Sequence, residues 1–333
     1  MDKVKRRIER PSKDALLFIA NDIFLLHLSK NTSKLKIIDK LNKLYLEEEN
    51  LVKVIDMLSY EALDNLENFY HDFLNGKREI DIFNDKLHNE LCDIGMFYFE
   101  AIMEPDNTDF EFHYQEEVIF NLKKLFSGKY AEKRKESKLL ELVVKGILYT
   151  YGVIRTDYFI TLVNNYINKD YDNDYLFDLI YTKLNLNVLV ERFTINWNNI
   201  NERESYVSYM PFSDTLGSTC ESQKQLNFKY NIHDLDYILK KASGPIDEYN
   251  MEFMNFMKEK NKNLDDEFLK KFVKENLLGT EKGSLMLKDI LKDVDENIVD
   301  DLLDYLNEWH ANLETYDLCG YSTNTLDESE MVN

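Results

Sequence analysis

Apolar positions between Leu139 and Ile167 recur at helical spacing in two runs with a short break between them. Leu139, Leu142, Val143, Gly146, Ile147 and Tyr149 make the first stripe; Tyr158, Phe159, Leu162, Val163, Tyr166 and Ile167 make the second. Side chains three and four residues apart share a helix face, so each run predicts an amphipathic helix. Gly152 breaks the pattern, Val153 and Ile154 form a short apolar step, and Thr156 suits the N-cap of the second helix. Helix, tight turn, extended step and helix is the opening half of a helix-turn-helix or winged-helix unit. Asp172–Leu184 continues the pattern as a third helix, with Leu176, Phe177, Ile180 and Leu184 facing in. Val188–Asn196 and Ser205–Met210 read as wing strands on either side of Asn198–Glu202, and Pro211 closes the unit.

A parallel pattern begins at Leu58. Ser59 caps a helix carrying Leu63, Leu66, Phe69, Tyr70 and Phe73, which Asn75-Gly76 stops. Ile80 and Ile82 make an extended step, and Phe83, Leu87, Leu91 and Cys92 mark a second helix ending at Gly95. Met96–Met103 and Phe110–Tyr114 are predicted strands around a turn at Pro105, Asp106 and Asn107. A helix with Val118, Ile119, Leu122 and Leu125 follows. This outline is a winged helix short of one helix.

The expected fold is therefore mainly α with minor β. A helical lead-in (1–57) precedes two winged-helix-like units in series (58–127 and 137–211). A polar linker (212–231), an acidic helical domain (232–318) and a frayed tail (319–333) complete the chain. A hydrophobic content of 44% and an aromatic content of 13% are enough for packed cores. The low counts of 10 Gly and 4 Pro favour helices over turns. The excess of Lys over Arg, with much Asn, suggests an AT-rich bacterial or phage genome.

Charge narrows the function classes. The net charge is −21. From Ile232 to Asn333 there are 11 Lys, no Arg and 24 Asp plus Glu, a net of −13, which leaves −8 for residues 1–231. Such a balance favours solubility and opposes loose binding to nucleic acid or an anionic membrane. The apolar run Ala15–Leu28 is interrupted by Asn21 and Asp22 and is too short to span a bilayer, so neither a signal peptide nor a membrane helix is expected. Cys92, Cys220 and Cys319 are far apart, odd in number and without a C-x-x-C pair, which fits free thiols in a reducing cytoplasm.

Two basic clusters are the candidates for anion or nucleic-acid contact. One is Lys3, Lys5, Arg6, Arg7 and Arg10; the other is Lys123, Lys124, Lys129, Lys133, Arg134, Lys135 and Lys138. The helix that would read DNA in the second winged-helix-like unit instead carries Asp172, Asp174 and Asp178 against Lys183. Phosphates would be repelled there, so that unit reads as a scaffold or protein-docking surface. Met251, Phe253, Met254, Phe256 and Met257 form a stripe that suits the core of the acidic domain or a plastic partner groove.

The six histidines lack paired ligand spacing, and Asp293-Val-Asp295-Glu-Asn297 has Ile298 where a calcium loop needs Gly. Gly279-Thr-Glu-Lys-Gly283 lacks the spacing of a phosphate loop, and Ser218 and Cys220 lie in no nucleophile motif. No catalytic residue, cofactor or metal site is therefore read from the sequence.

Leu58-Ser-Tyr-Glu-Ala-Leu63, Leu148-Tyr-Thr-Tyr-Gly-Val-Ile154 and the tail Gly320-Tyr-Ser-Thr-Asn-Thr-Leu326 carry a resemblance. They resemble stretches of a large group of Firmicute cytoplasmic proteins with a helical and winged-helix-like repeat region, often ending in a SecA-C-terminal-type zinc motif. The tail phrase departs from that group's G-x-[ST]-P-x-E-L with Thr323 in place of Pro and Thr325 in place of Glu, and the Cys-rich motif is missing. The resemblance implies fold and cytoplasmic location, and it carries over no catalytic residue. The expected function is a non-enzymatic cytoplasmic adaptor or regulator that binds a protein partner. The alternatives are a nucleic-acid-linked regulator using 3–13 and 123–138, and an acidic phage-type inhibitor that imitates DNA.

Overall fold

A computed structural model describes residues 5–77, 90–103, 108–126, 129–197, 203–209, 216–279, 281–292, 294 and 298–326. It is mainly α-helical with two small three-stranded antiparallel sheets. The chain divides into two compact lobes. One comprises Met1–Lys138 with Tyr181–Asn185, the other Leu139–Ile180 with Leu186–Asn333. No helix among the described residues is long and apolar enough to cross a membrane.

In the first lobe, β1 (Lys5–Arg10) leads into α1 (Lys13–Phe18), a π-helical turn at Ile19–Ile23, α2 (Lys34–Leu44), α3 (Glu48–Ile55) and α4 (Tyr60–Leu74). Serine caps begin three of these helices. Ser12 Oγ accepts from Ala15 N, Ser33 Oγ from Lys36 N and Ser59 Oγ from Ala62 N, each satisfying an amide the helix leaves unpaired. The hairpin β2 (Phe97–Met103) and β3 (Thr108–Tyr114) follows, then α5 (Glu116–Asn121). The helical lead-in is corrected at its start. Residues 5–10 are an edge strand paired with β2 from Lys5↔Met103 to Arg10↔Phe99. A strand of that kind owes its shape to a partner 89 to 98 residues away, so local periodicity does not reveal it.

Alternation along the hairpin divides the sheet's two faces. Phe97 and Ala101 are buried, and the rings of Phe69 and Phe112 each lie 5.3 Å from that of Phe97. Tyr98, Glu100, Glu111 and His113 take the other face. The expected step at Ile80 and Ile82 and most of the helix after it lie outside the described residues.

The helix α6 (Lys129–Tyr151) belongs to the second lobe from Leu139 onward. Then β4 (Val153–Arg155), α7 (Thr156–Ile167), α8 (Asn173–Thr182), α9 (Leu184–Asn187), β5 (Val190–Asn196) and β6 (Arg203–Tyr209) follow, all in this lobe except Tyr181–Asn185, with strand order β4-β6-β5. The two strands expected over 188–196 and 205–210 are present within two residues of those limits.

The expected linker holds a helix, α10 (Leu216–Gln225). Its buried face is largely polar, built from Thr219, Cys220 and Gln223, so it gives no apolar stripe to detect. Gln223 Nε2 donates to the carbonyls of Val153 (3.0 Å) and Tyr316 (2.7 Å), and its Oε1 accepts from Tyr230 Oη (3.1 Å).

Helices α11 (Leu235–Lys241), α12 (Glu248–Lys260), α13 (Asp266–Leu277), α14 (Glu281–Ile290) and α15 (Val299–Asn312) complete the lobe. Asp234, Asp247 and Asp265 cap the first three of them. Phe253, Phe272 and Trp309 stack in their core, with 3.9 Å between the Phe253 and Trp309 rings. The tail is docked instead of frayed as far as Leu326. Tyr316, Cys319, Ser322 and Leu326 are buried, and Asn231 donates twice to this segment, from Nδ2 to Gly320 O and from its backbone amide to Cys319 O.

Candidate functional site

The basic segment 123–138 is answered by acid from earlier helices. Lys124 Nζ lies 2.7 Å from Glu48, and Lys133 pairs with Asp56. Arg134 reaches Glu67 at 3.0 Å, Lys138 reaches Asp64 at 2.9 Å, and Lys135 pairs with Glu132 of its own helix. Lys123 is also engaged, and Lys129 opens α6. Tyr60, Leu63, Phe126, Arg134 and Lys138 line a groove of about 270 Å³ here. The guanidinium of Arg134 sits 4.9 Å from the Phe126 ring centre, and Lys138 Nζ 4.9 Å from that of Tyr60. A phosphate approaching this segment competes with carboxylates already in place, so counterion release gains little.

The N-terminal cluster lies on β1. Arg6 bridges Glu100 (3.1 Å) and Glu111 (3.3 Å), and Arg7 lies 3.4 Å from Glu9. Lys34 Nζ donates to the carbonyls of Ile8 and Glu9, and burial is the main cause that lowers its pKa. Arg10 helps hold down the pKa of Asp93, which burial raises. Lys5 starts the strand, and Lys3 lies outside the described residues.

Sequence spacing did not single out the group that Arg6 joins. Glu100 and Glu111 are directly opposed across the hairpin, and His113 is two residues on, opposite Tyr98. His113 Nε2 stands 3.6 Å from Oε2 of each glutamate, and the three ligand-type atoms lie within 4.8 Å of one another. Tyr98 stacks on the imidazole at 4.7 Å and 18°. Nε2 is closed off from solvent and has no hydrogen-bond partner. The signal was in the hairpin register: once Met103 faces Thr108, residue 100 must face 111 and 98 must face 113.

On α8, Leu176, Phe177 and Ile180 turn inward, and Asp174, Tyr175 and Asp178 are exposed. Asp172 is the cap, its Oδ1 accepting from Tyr175 N at 2.9 Å. The Met and Phe stripe of α12 divides differently. Phe253, Met254 and Met257 are core, Phe256 packs on Tyr305 at 3.9 Å, and Met251 is exposed. Burial pushes the thiols of Cys92 and Cys220 up to about 12 and raises that of Cys319, which keeps all three protonated and poorly nucleophilic near neutrality. In the second lobe His233 stacks on Tyr237 at 3.9 Å, and Tyr237 Oη donates to Glu314.

No family model matches the chain, and no curated protein or solved structure matches it.

Proposed function

We propose that residues 137–211 are a winged helix used as a docking scaffold, and that the protein is a non-enzymatic adaptor or regulator that works by holding a protein partner. The path α6-β4-α7-α8-α9-β5-β6, with β4 and β5 both hydrogen-bonded to β6, supports the winged-helix reading. The carrying observation is the outward face of α8, the helix that DNA-binding relatives of this architecture place in the major groove. It offers Asp174, Tyr175 and Asp178. Two carboxylates repel phosphate, whereas carboxylates beside an exposed tyrosine suit a basic protein surface with an apolar spot. The internal pairing of the basic segment weighs in the same direction and against the nucleic-acid alternative.

The test compares the full chain with Asp174→Lys/Tyr175→Ala/Asp178→Lys in quantitative capture from the native host and in duplex-DNA titration at low salt. The expected result is a reproducible partner whose recovery falls at least tenfold with the variant, and no salt-dependent DNA binding by the unaltered chain. A partner retained equally by both proteins, or DNA affinity that falls steeply with salt, would overturn the proposal.

A further inference from the structure

The face of the first sheet opposite Phe97 and Ala101 carries a half-satisfied cluster. Glu100 and Glu111 are directly opposed on neighbouring strands, an arrangement of like charges that is unfavourable unless a cation sits beside it. Arg6 supplies one, at 3.1 and 3.3 Å. It answers the carboxylates only. His113 Nε2 faces the same two oxygens from 3.6 Å, beyond hydrogen-bond reach, and has no partner of its own.

We propose that Glu100, Glu111 and His113 form a binding site for a divalent first-row transition-metal ion, with Arg6 as the competing cation that occupies it in the metal-free state. The donor set is one imidazole and two carboxylates, which suits Zn²⁺, Mn²⁺ or Fe²⁺ better than a soft ion. Ligands about 2.0–2.2 Å from a tetrahedral zinc stand roughly 3.3–3.6 Å apart, so the two separations of 3.6 Å are already near those of a coordinated set. A metal ion would use the Nε2 lone pair that Arg6 leaves idle and would neutralise both carboxylates, leaving other coordination positions open. Tyr98 holds the imidazole plane by stacking. Displacing Arg6 is cheap, because its side chain is 54% exposed and such an ion pair contributes little. Loading would also exchange a tie between β1 and the hairpin for one inside the hairpin, so the N-terminal strand would respond to metal.

The test is a calorimetric titration of Zn²⁺ into chelator-treated full-length protein, repeated with Co²⁺ to read coordination from its visible absorption. One equivalent is expected at pH 7.5 for the unaltered chain. His113→Ala and Glu111→Gln should each weaken that equivalent at least tenfold, while Arg6→Gln should tighten it several-fold by removing the competitor. Circular dichroism identifies any variant that fails to fold, and for such a variant Glu100→Gln takes its place. No binding by either the unaltered chain or Arg6→Gln would overturn the proposal, as would binding that survives His113→Ala or that weakens in Arg6→Gln.

Discussion

Gly152 sits at φ 64°, and a Cβ built there would lie 2.2 Å from Cδ2 of the Tyr316 ring. Left-handed backbone costs an L-residue about 1–2 kcal/mol, and forcing a methyl into a packed ring adds about 1–3 kcal/mol. Gly152→Ala should therefore destabilise the chain by about 2–5 kcal/mol, read from a lower urea midpoint at unchanged slope. Gly217 is the control. It lies in α10 with nothing within 4 Å of its would-be Cβ and no left-handed φ, so Gly217→Ala should be neutral or stabilise by up to about 1 kcal/mol. Similar losses for the two would contradict the close approach of Tyr316. Gln223 gives a second residue-level case. Gln223→Leu keeps the size but strands the Val153 carbonyl and the Tyr230 hydroxyl hydrogen and leaves the Tyr316 carbonyl with only the Cys319 amide, at a cost of about 2–4 kcal/mol.

At the scale of elements, legibility followed from where each element's information lies. The apolar stripe from Tyr158 to Ile167 predicted α7 to within one residue, with Thr156 opening the helix after Arg155 instead of capping it, because every residue that makes it a helix is local. Both hairpins were legible for the same reason. The strand β1 was not, since its identity comes from β2, and α10 was not, since its buried face is polar and is satisfied by distant carbonyls. The charge of residues 123–138 was plain, but its partners lie 67–77 positions earlier in the chain, so no local pattern warns that this segment is already neutralised. The glutamates and histidine of the first sheet needed a strand register before they could meet. The ion pairs should also differ in worth. Lys124→Ala and Lys133→Ala remove exposed pairs and should each cost less than about 1 kcal/mol in thermal unfolding. Arg134 is more enclosed, stacks on Phe126 and reaches two carboxylates, so Arg134→Ala should cost about 1–3 kcal/mol. Equal effects at all three positions would show that packing around Arg134 adds nothing.

For the whole molecule, a net charge of −21 means self-repulsion that eases as carboxylates begin to protonate on mild acidification. His233 acts in the opposite direction. Burial lowers its pKa, and the opposing pull of Glu314 does not compensate; Lys241 lowers it further, while Asp234 and a hydrogen bond with Gly320 raise it. The native imidazole thus stays neutral in a pH range where the unfolded one takes up a proton, below about 6.5. The unfolded chain then binds more protons, so stability from this group is complete above that pH and declines as pH falls toward the lowered native value. His233→Asn removes the titration but keeps a polar side chain. Between pH 7.5 and 5 the unaltered protein should lose more thermal stability than the variant, so that the difference between them changes with pH. Carboxylate protonation acts on both proteins alike and cancels in that difference. Parallel melting curves across the range would mean that His233 titrates in the fold as it does in the unfolded chain, and that the closed environment around it does not hold in solution.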